Sequence, residues 1–225
     1  MAQKDSRYVP AFGLRWLTPF YDLFAKPFGG NFRRRLIQQA NIQPGQHVLD
    51  LGCGTGLLAI MLKQSMPEVQ VTGLDGDEEV LMIARKKAES AHADIQWDRA
   101  LAYDMPYPDQ SFDAVLSSFV THHLTSADKA RAFQEVHRVL RPEGGFHIVD
   151  FGPPFNLLTR VQASVMKNFE RTADNFNGQI VPMLTEAGFR RRPATEGSVE
   201  GSAKEAEHVI TFFGPIAFYR AVKGD

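Results

Sequence analysis

The sequence predicts an α/β fold: a mostly parallel sheet of seven strands with an antiparallel last strand and helices on both faces. From Gln46 to Asp150, strand signals alternate with helical signals at short intervals, which is typical of βαβ units. Two apolar runs stop at an acid, Asp50 and Asp75, and the first leads directly into a glycine-rich turn. A length of 225 residues, with 44% hydrophobic and 23% charged residues, fits one well-buried domain.

The elements of the first half are marked by residues that start or stop helices. Pro67 cannot continue a helix, so the helix after the glycine turn ends before it. Glu78 and Glu79 fit the first turn of the next helix, where negative charge complements the helix dipole. The predicted elements are a strand over 48–50, a helix over 57–66, a strand over 69–74, a helix over 78–91, and strands over 95–98 and 112–117.

The second half continues the pattern less regularly. Thr125 and Asp128 form a capping box for a helix that begins near Ser126. A fifth strand covers 145–151, and two helices follow within 153–188, the second ending at Gly188 as a left-handed cap before a sixth strand. The last strand, 217–222, follows the turn at Gly214 and is expected to return antiparallel from a segment ending at Phe213. Residues 197–208 fit a loop, an extra helix or an insertion.

The N-terminal segment is predicted to be a short helical lid. Aromatic residues recur at every fourth position, at 12, 16, 20, 24, 28 and 32, which indicates one helical face. Pro19, Pro27 and the Gly29-Gly30 pair argue against a single long helix, so two or three short helices are expected. We therefore divide the chain into a lid at 1–43 and a single domain at 44–225. In the alternative, these aromatic rings only seal one side of the core.

The glycine-rich turn after the first strand carries the main functional signal. Its glycines, spaced two apart, allow backbone N–H groups and a helix N-terminus to approach a ligand closely. A dinucleotide site has a third glycine where this chain has Leu57, so the spacing disfavours NAD. The string resembles the first motif of the class I S-adenosylmethionine-dependent methyltransferases, which have a Rossmann-like fold. The resemblance implies S-adenosyl-L-methionine as cofactor, held by Asp50, Gly52, Cys53, Gly54, Thr55 and Gly56.

Further cofactor contacts are expected where other strands end. Asp75 is suited to accept hydrogen bonds from both ribose hydroxyls, and Gly76 follows it. Residues 101–113 resemble a family segment in which an aspartate binds the adenine amino group, but this chain has Leu101 at that position. Adenine binding is therefore expected to rest on the Ala102 backbone and on apolar contacts. Ser117 is expected beside the methionine part of the cofactor. Tyr21 resembles a cofactor-proximal tyrosine of the ubiquinone and menaquinone biosynthesis methyltransferases.

A general base is needed only if the acceptor must lose a proton. His122 and His123 follow the fourth strand, and imidazole titrates near neutrality, so one of them is the candidate base or substrate contact. A histidine that only holds a loop carbonyl is the competing interpretation. A metal set of His122, His123, His137 and Asp150 is disfavoured because the first two are adjacent and no metal-binding spacing supports them.

Composition narrows the function classes. A net charge of −1 and a pI near 6.7 give no general attraction to nucleic acid, and no stable membrane association is expected. The single cysteine, Cys53, cannot form an intramolecular disulfide, which favours the cytoplasm. We predict an enzyme that transfers a methyl group to a small, partly hydrophobic molecule by in-line displacement. The alternatives are a non-catalytic cofactor-binding or partner-regulating protein on the same fold, a methyltransferase for RNA or protein, and an NAD-dependent oxidoreductase.

Overall fold

The structure is a computed structural model, and it describes residues 21–166, 171–191, 207–211 and 214–224. Within these residues eight strands form one sheet, surrounded by seven α-helices. The strands are β1 (His47–Leu51), β2 (Gln70–Asp75), β3 (Gln96–Arg99), β4 (Phe112–Ser118), β5 (Leu140–Phe151), β6 (Phe189–Arg191), β7 (Glu207–Thr211) and β8 (Gly214–Lys223). The helices are α1 (Tyr21–Ala40), α2 (Leu57–Ser65), α3 (Glu78–Ser90), α4 (Ser126–Val139), α5 (Leu157–Met166), α6 (Ala173–Phe176) and α7 (Ile180–Glu186).

The strand order is β3-β2-β1-β4-β5-β8-β6, with β7 also paired to β8. The first five strands are parallel, and β8 returns antiparallel beside β5. These observations confirm the predicted fold class. The order reverses between β1 and β4, which are neighbours in register at Leu51 and Ser117. In an open parallel sheet, ligands bind at the carboxyl ends of the strands near such a reversal.

The strand count differs from the predicted seven because the sixth strand is split. β6 pairs with β8 at residues 221–223, and β7 pairs with β8 at residues 214–218, both antiparallel. Since β5 occupies the other side of β8, β6 and β7 lie along the same edge and run in the same direction. The predicted hairpin before the last strand is confirmed by the pairing of Thr211 with Gly214. Of the open segment 197–208, residues 207 and 208 belong to β7, and the rest lies outside the described residues.

The prediction of two or three short N-terminal helices is wrong for the described part of that segment. One helix, α1, runs from Tyr21 to Ala40, through Pro27 and both glycines at 29 and 30. Proline removes one helical hydrogen bond, but tertiary packing of the C-terminal half outweighs that local cost. Leu36 is fully buried, and the Gln39 side-chain amide donates to the Tyr219 carbonyl at 2.9 Å. Residues 1–20 lie outside the described part, and the division at residue 43 stays a prediction.

Helices cover both faces of the sheet. On one face, α1 and α2 pack with the apolar side chains of β1 and β2, and on the other, α4 and α7 pack with β5 and β8. The helix starts and stops match the predicted signals: Thr125 Oγ1 accepts from the Asp128 N–H at 3.1 Å, and Gly188 has φ of 93°. Three helices, rather than the expected two, lie between 153 and 188. No helix in the described residues combines the length and apolarity needed to cross a bilayer.

Candidate active site

The glycine turn between β1 and α2 has a backbone that only glycine adopts easily. Gly52, Gly54 and Gly56 have φ values of 67°, 52° and 80°, all in the left-handed region. The N–H groups of Gly52 and Cys53 both donate to the Leu74 carbonyl, at 2.8 and 3.0 Å. This pair of hydrogen bonds fixes the turn against the end of β2, at the carboxyl edge of the sheet.

Space around the turn distinguishes the three glycines. A Cβ at Gly52 would lie 2.5 Å from Val120, and a Cβ at Gly56 would lie 2.6 Å from the Trp97 ring, so both glycines are needed for packing. A Cβ at Gly54 would meet no heavy atom within 4 Å. Gly54 therefore borders open space, and the turn fits a ligand that lies against its backbone. Trp97, which packs beneath the turn, was not predicted from the sequence.

Asp75 ties the end of β2 to this turn. One carboxylate oxygen accepts from the Gly54 N–H, and the other accepts from the Asp77 N–H, each at 2.9 Å. Burial raises the pKa of Asp75, and the hydrogen bonds from Asp77 and Gly54 oppose that effect. Each carboxylate oxygen has a second lone pair, so the side chain can still accept from a diol. This geometry suits the ribose contact predicted for Asp75.

Asp50 and Cys53 are placed inside the protein. Asp50 is 2% exposed, and its carboxylate accepts from the Ala59 N–H of α2 at 3.1 Å. Burial raises the pKa of Asp50 to about 7, although the charge of Arg33 and the Ala59 hydrogen bond oppose this. Burial also raises the pKa of the Cys53 thiol well above its usual range, so this residue is not a reactive thiolate.

Apart from Tyr21, the other predicted cofactor residues lie in turns or near strand ends. Leu101 and Ala102 are half-buried in a turn just after β3, closed by an Asp104 N–H bond to the Leu101 carbonyl at 3.0 Å. Ser117 is fully buried in β4, and its Oγ has no hydrogen-bond partner among the described residues. Thr55 is buried in the glycine turn, Gly76 directly follows β2, and Tyr21 is the first residue of α1, its side chain lying outside the described part.

His122 and Asp150 form a buried pair at the ends of β4 and β5. His122 lies in a 3-10 helix, Thr121–His123, directly after β4. Its Nδ1 is 2.7 Å from Asp150 Oδ1, and Asp150 is fully buried. The carboxylate also accepts from Thr121 Oγ1 at 2.7 Å and from the Phe151 N–H at 2.7 Å. The sequence predicted His122, but it did not identify Asp150 as its partner.

The electrostatics of the pair favour an ionised Asp150. Burial would raise the pKa of Asp150, but the His122 charge and the hydrogen bonds from His122, Thr121 and Phe151 together hold it below its usual value. With a carboxylate at Nδ1, we assign the Nδ1 proton to His122, which leaves Nε2 as the basic nitrogen. The His123 ring lies 4.0 Å from the His122 ring, centroid to centroid.

A second layer of polar contacts holds this helix in place. Asn175 is fully buried, and its amide donates to Thr121 Oγ1 at 3.0 Å and to the Phe151 carbonyl at 3.3 Å. The Arg171 N–H donates to the His122 carbonyl at 3.2 Å. The fully buried Lys129 donates to the Arg171 carbonyl and to Asp174, both at 2.9 Å. None of these contacts followed from the sequence, since their partners are between 24 and 54 residues apart.

Comparison with known proteins agrees with the geometry. A family model described as a methyltransferase domain matches residues 48–144. The chain is 38% identical over 153 residues to the demethylmenaquinone methyltransferase of Thermus thermophilus, covering 64% of this chain and 69% of that protein. It is 33% identical over 181 residues to the demethylmenaquinone methyltransferase of Listeria monocytogenes, covering 70% and 76%. A SAM-dependent methyltransferase structure from Aquifex aeolicus has the same fold, with a TM-score of 0.62 at 18% identity over 85% of this chain and 89% of that chain.

These matches confirm the resemblance that the glycine motif carries, together with the predicted cofactor, S-adenosyl-L-methionine. They support an enzyme over the alternative of a non-catalytic binding protein, because both curated relatives are named as methyltransferases. The chain belongs to the class I S-adenosylmethionine-dependent methyltransferases, in the group of the ubiquinone and menaquinone methyltransferases.

Proposed function

We propose that this enzyme transfers a methyl group from S-adenosylmethionine to a small, partly hydrophobic molecule by in-line displacement. The observation that carries the proposal is the position of the His122–Asp150 pair. It lies at the ends of β4 and β5, while the glycine turn follows β1, the direct neighbour of β4. A base and a cofactor cradle at adjacent strand ends suit proton removal beside a methyl donor.

The cofactor would lie across the carboxyl edge of the sheet. The turn at 52–56 offers its backbone, Asp75 would hold the ribose hydroxyls, and Leu101 with Ala102 would contact the adenine. Ser117 offers an unpartnered buried hydroxyl toward the methionine part, and Tyr21 stays a predicted contact. When bound, the cofactor supplies a methyl group on a positively charged sulfonium, which is already activated for displacement.

The protein groups near β4 would act on the acceptor. His122 Nε2 would take the proton that the acceptor atom loses as it accepts the methyl group, with the neutral thioether as the leaving group. Asp150 stays ionised and stabilises the imidazolium that forms. Thr121 and Asn175 keep the carboxylate and the imidazole aligned. His123 stays a second candidate for a substrate contact.

The relatives and the composition of the chain support one class of acceptor. The named relatives act on demethylmenaquinone, and we propose a quinone-type ring in its reduced form as the acceptor. A ring hydroxyl or ring carbon of a quinol must lose a proton on methylation, and His122 would act as the base that accepts it. The aromatic residues of the predicted lid, 1–43, favour a partly hydrophobic acceptor. The near-neutral charge of the chain favours a small acceptor over nucleic acid.

The test combines cofactor binding with methyl transfer. Calorimetry with S-adenosylhomocysteine should show at least about tenfold weaker binding for Asp75→Asn, because one ionised acceptor of two hydrogen bonds is lost. Asp94→Asn, at an exposed acid, is the matched control. His122→Asn should bind the cofactor normally but methylate 1,4-dihydroxynaphthalene at least about a hundredfold more slowly, while the exposed His92→Asn should be unaffected. Equal rates for the two histidine variants would remove His122 from the mechanism.

A further inference from the structure

One surface of the protein is unusually apolar. Of the seven large hydrophobic side chains exposed in the described residues, five lie in or directly before α5 and a sixth is Ile210, on β7. Gln162 of α5 donates to the Thr211 carbonyl at 3.0 Å, which places β7 beside this helix. We call this set the α5 face: Phe155, Leu157, Leu158, Val161, Val165 and Ile210. The seventh exposed side chain, Met82, lies apart on α3.

The helical period explains how α5 divides its residues. Leu157, Leu158, Val161 and Val165 fall within about 100° of one another around the helix axis. Leu157 is 78% exposed and Val165 is 61% exposed. Thr159 and Ala163, on the opposite side, are buried against the protein. Such a concentration of exposed apolar side chains on a helix anchored by its other side is typical of an interaction surface.

The charge around the α5 face favours an anionic occupant. Over the described residues 152–166, the sequence has no acidic residue and one basic residue, Arg160. Arg160 is exposed and lies on the flank of the apolar arc, one turn after Leu157. An apolar helix face with a basic residue on its border and no acidic one is the pattern of a helix that lies in the interfacial layer of an anionic bilayer.

A second copy of the chain fits this surface less well. A stable protein–protein interface takes roughly 20–30 residues from each partner, whereas this face offers six side chains. A bilayer needs no matching surface, since binding grows with the apolar area inserted and with each basic group near the anionic lipids.

The α5 face follows the candidate active site along the chain. β5 ends at Phe151, whose N–H donates to Asp150, and α5 begins six residues later. We propose that the α5 face docks the enzyme reversibly on an anionic lipid bilayer, so that a hydrophobic acceptor dissolved in the bilayer reaches the site. The role in acceptor delivery rests on the proposed function, whereas the docking itself does not. Reversible docking agrees with the expected absence of stable membrane association.

The test is a sedimentation assay of the full chain with vesicles. The wild type should bind vesicles of equal parts phosphatidylcholine and phosphatidylglycerol, and bind phosphatidylcholine alone more weakly. Leu157→Ser with Val161→Ser should weaken binding at least about tenfold, because two inserted side chains are lost. Arg160→Gln should weaken binding to the anionic vesicles about fivefold. Met82→Ser, at the exposed apolar residue outside the face, is the matched control and should bind as the wild type does.

Three results would overturn the docking proposal: no binding of the wild type to anionic vesicles, equal loss with Met82→Ser, or a wild-type dimer that the double variant abolishes. Size-exclusion chromatography with light scattering detects that dimer and shows whether the double variant is folded. The double variant should still bind S-adenosylhomocysteine and methylate a water-soluble acceptor. If the wild type failed in those two assays, the proposed function would be contradicted. The docking proposal would still be tested separately by the vesicle assay.

Discussion

Asp50→Asn should be more stable than the wild type at alkaline pH. The size of the difference follows from the raised pKa of the buried Asp50 carboxyl. The side chain is 2% exposed, and its pKa lies at about 7 in the folded protein against an ordinary 3.8. Between these two values the unfolded chain has released the proton while the native protein still holds it. Unfolding therefore becomes more favourable as pH rises through this window, and the wild type loses stability.

The magnitude follows from the linkage relation. For one carboxyl group with these two pKa values, the unfolding free energy falls by roughly 4 kcal/mol between acid and pH 8. Roughly 1.5 kcal/mol is lost by pH 5, which leaves about 2.5 kcal/mol to be lost between pH 5 and pH 8. Asn cannot ionise, and its side-chain carbonyl can still accept from the Ala59 N–H.

The assay is urea unfolding of the cofactor-free protein, followed by circular dichroism at several pH values from 5 to 8. The difference in unfolding free energy between Asp50→Asn and wild type should grow by about 2.5 kcal/mol over that range. Taking the change with pH removes any constant effect of the substitution itself. Asp94→Asn, at an exposed acid, controls for the loss of one carboxylate. Parallel curves for Asp50→Asn and wild type would refute the account of a buried, neutral Asp50.

Other substitutions test the turn and the histidine helix. Gly54→Ala should cost about 1 kcal/mol of stability because its φ is 52°, and should weaken S-adenosylhomocysteine binding in calorimetry at least about tenfold, since the new methyl group points into open space. Gly56→Ala should lower the melting temperature further than Gly54→Ala, because its Cβ would lie 2.6 Å from Trp97; equal melting temperatures would contradict that packing. Asn175→Ala should lower kcat and leave cofactor affinity unchanged in the methyl-transfer assay, because it removes the donor to Thr121; a loss confined to KM would contradict a positioning role. Lys129→Met should reduce the unfolding free energy by about 2 kcal/mol in urea, because Asp174 loses a buried partner, and an unchanged value would contradict that ion pair.

The regular part of the fold was predictable because local signals and tertiary structure agree there. The apolar run of β1 stops at an acid and three glycines follow, and each glycine has the left-handed φ that its residue type favours. Asp75 was placed by the same logic, since a strand that ends at an acid brings that acid to the carboxyl edge. Thr125 capped its helix as its neighbour Asp128 indicated.

The remaining features depend on contacts between distant segments. α1 continues through Pro27 because its C-terminal half packs on the sheet. Local helix propensity does not predict such a tertiary contact. The splitting of the sixth strand depends on how β8 pairs with two separate pieces of chain. Asp150 meets His122 because β4 and β5 align Ser118 with Val149, so that Asp150, the next residue of β5, lies beside the segment that follows β4. Such a register cannot be read from the spacing of single residues.

The most direct measurement of the central claim is transfer of a labelled methyl group. The enzyme is incubated with trideuteromethyl-labelled S-adenosylmethionine and 1,4-dihydroxynaphthalene, and the products are analysed by mass spectrometry. We expect a ring compound that carries one trideuteromethyl group in place of one hydrogen, formed by wild type and by His92→Asn but strongly reduced in Asp75→Asn and His122→Asn. Wild-type protein that binds the cofactor yet labels neither this acceptor nor a reduced demethylmenaquinone would contradict this expectation.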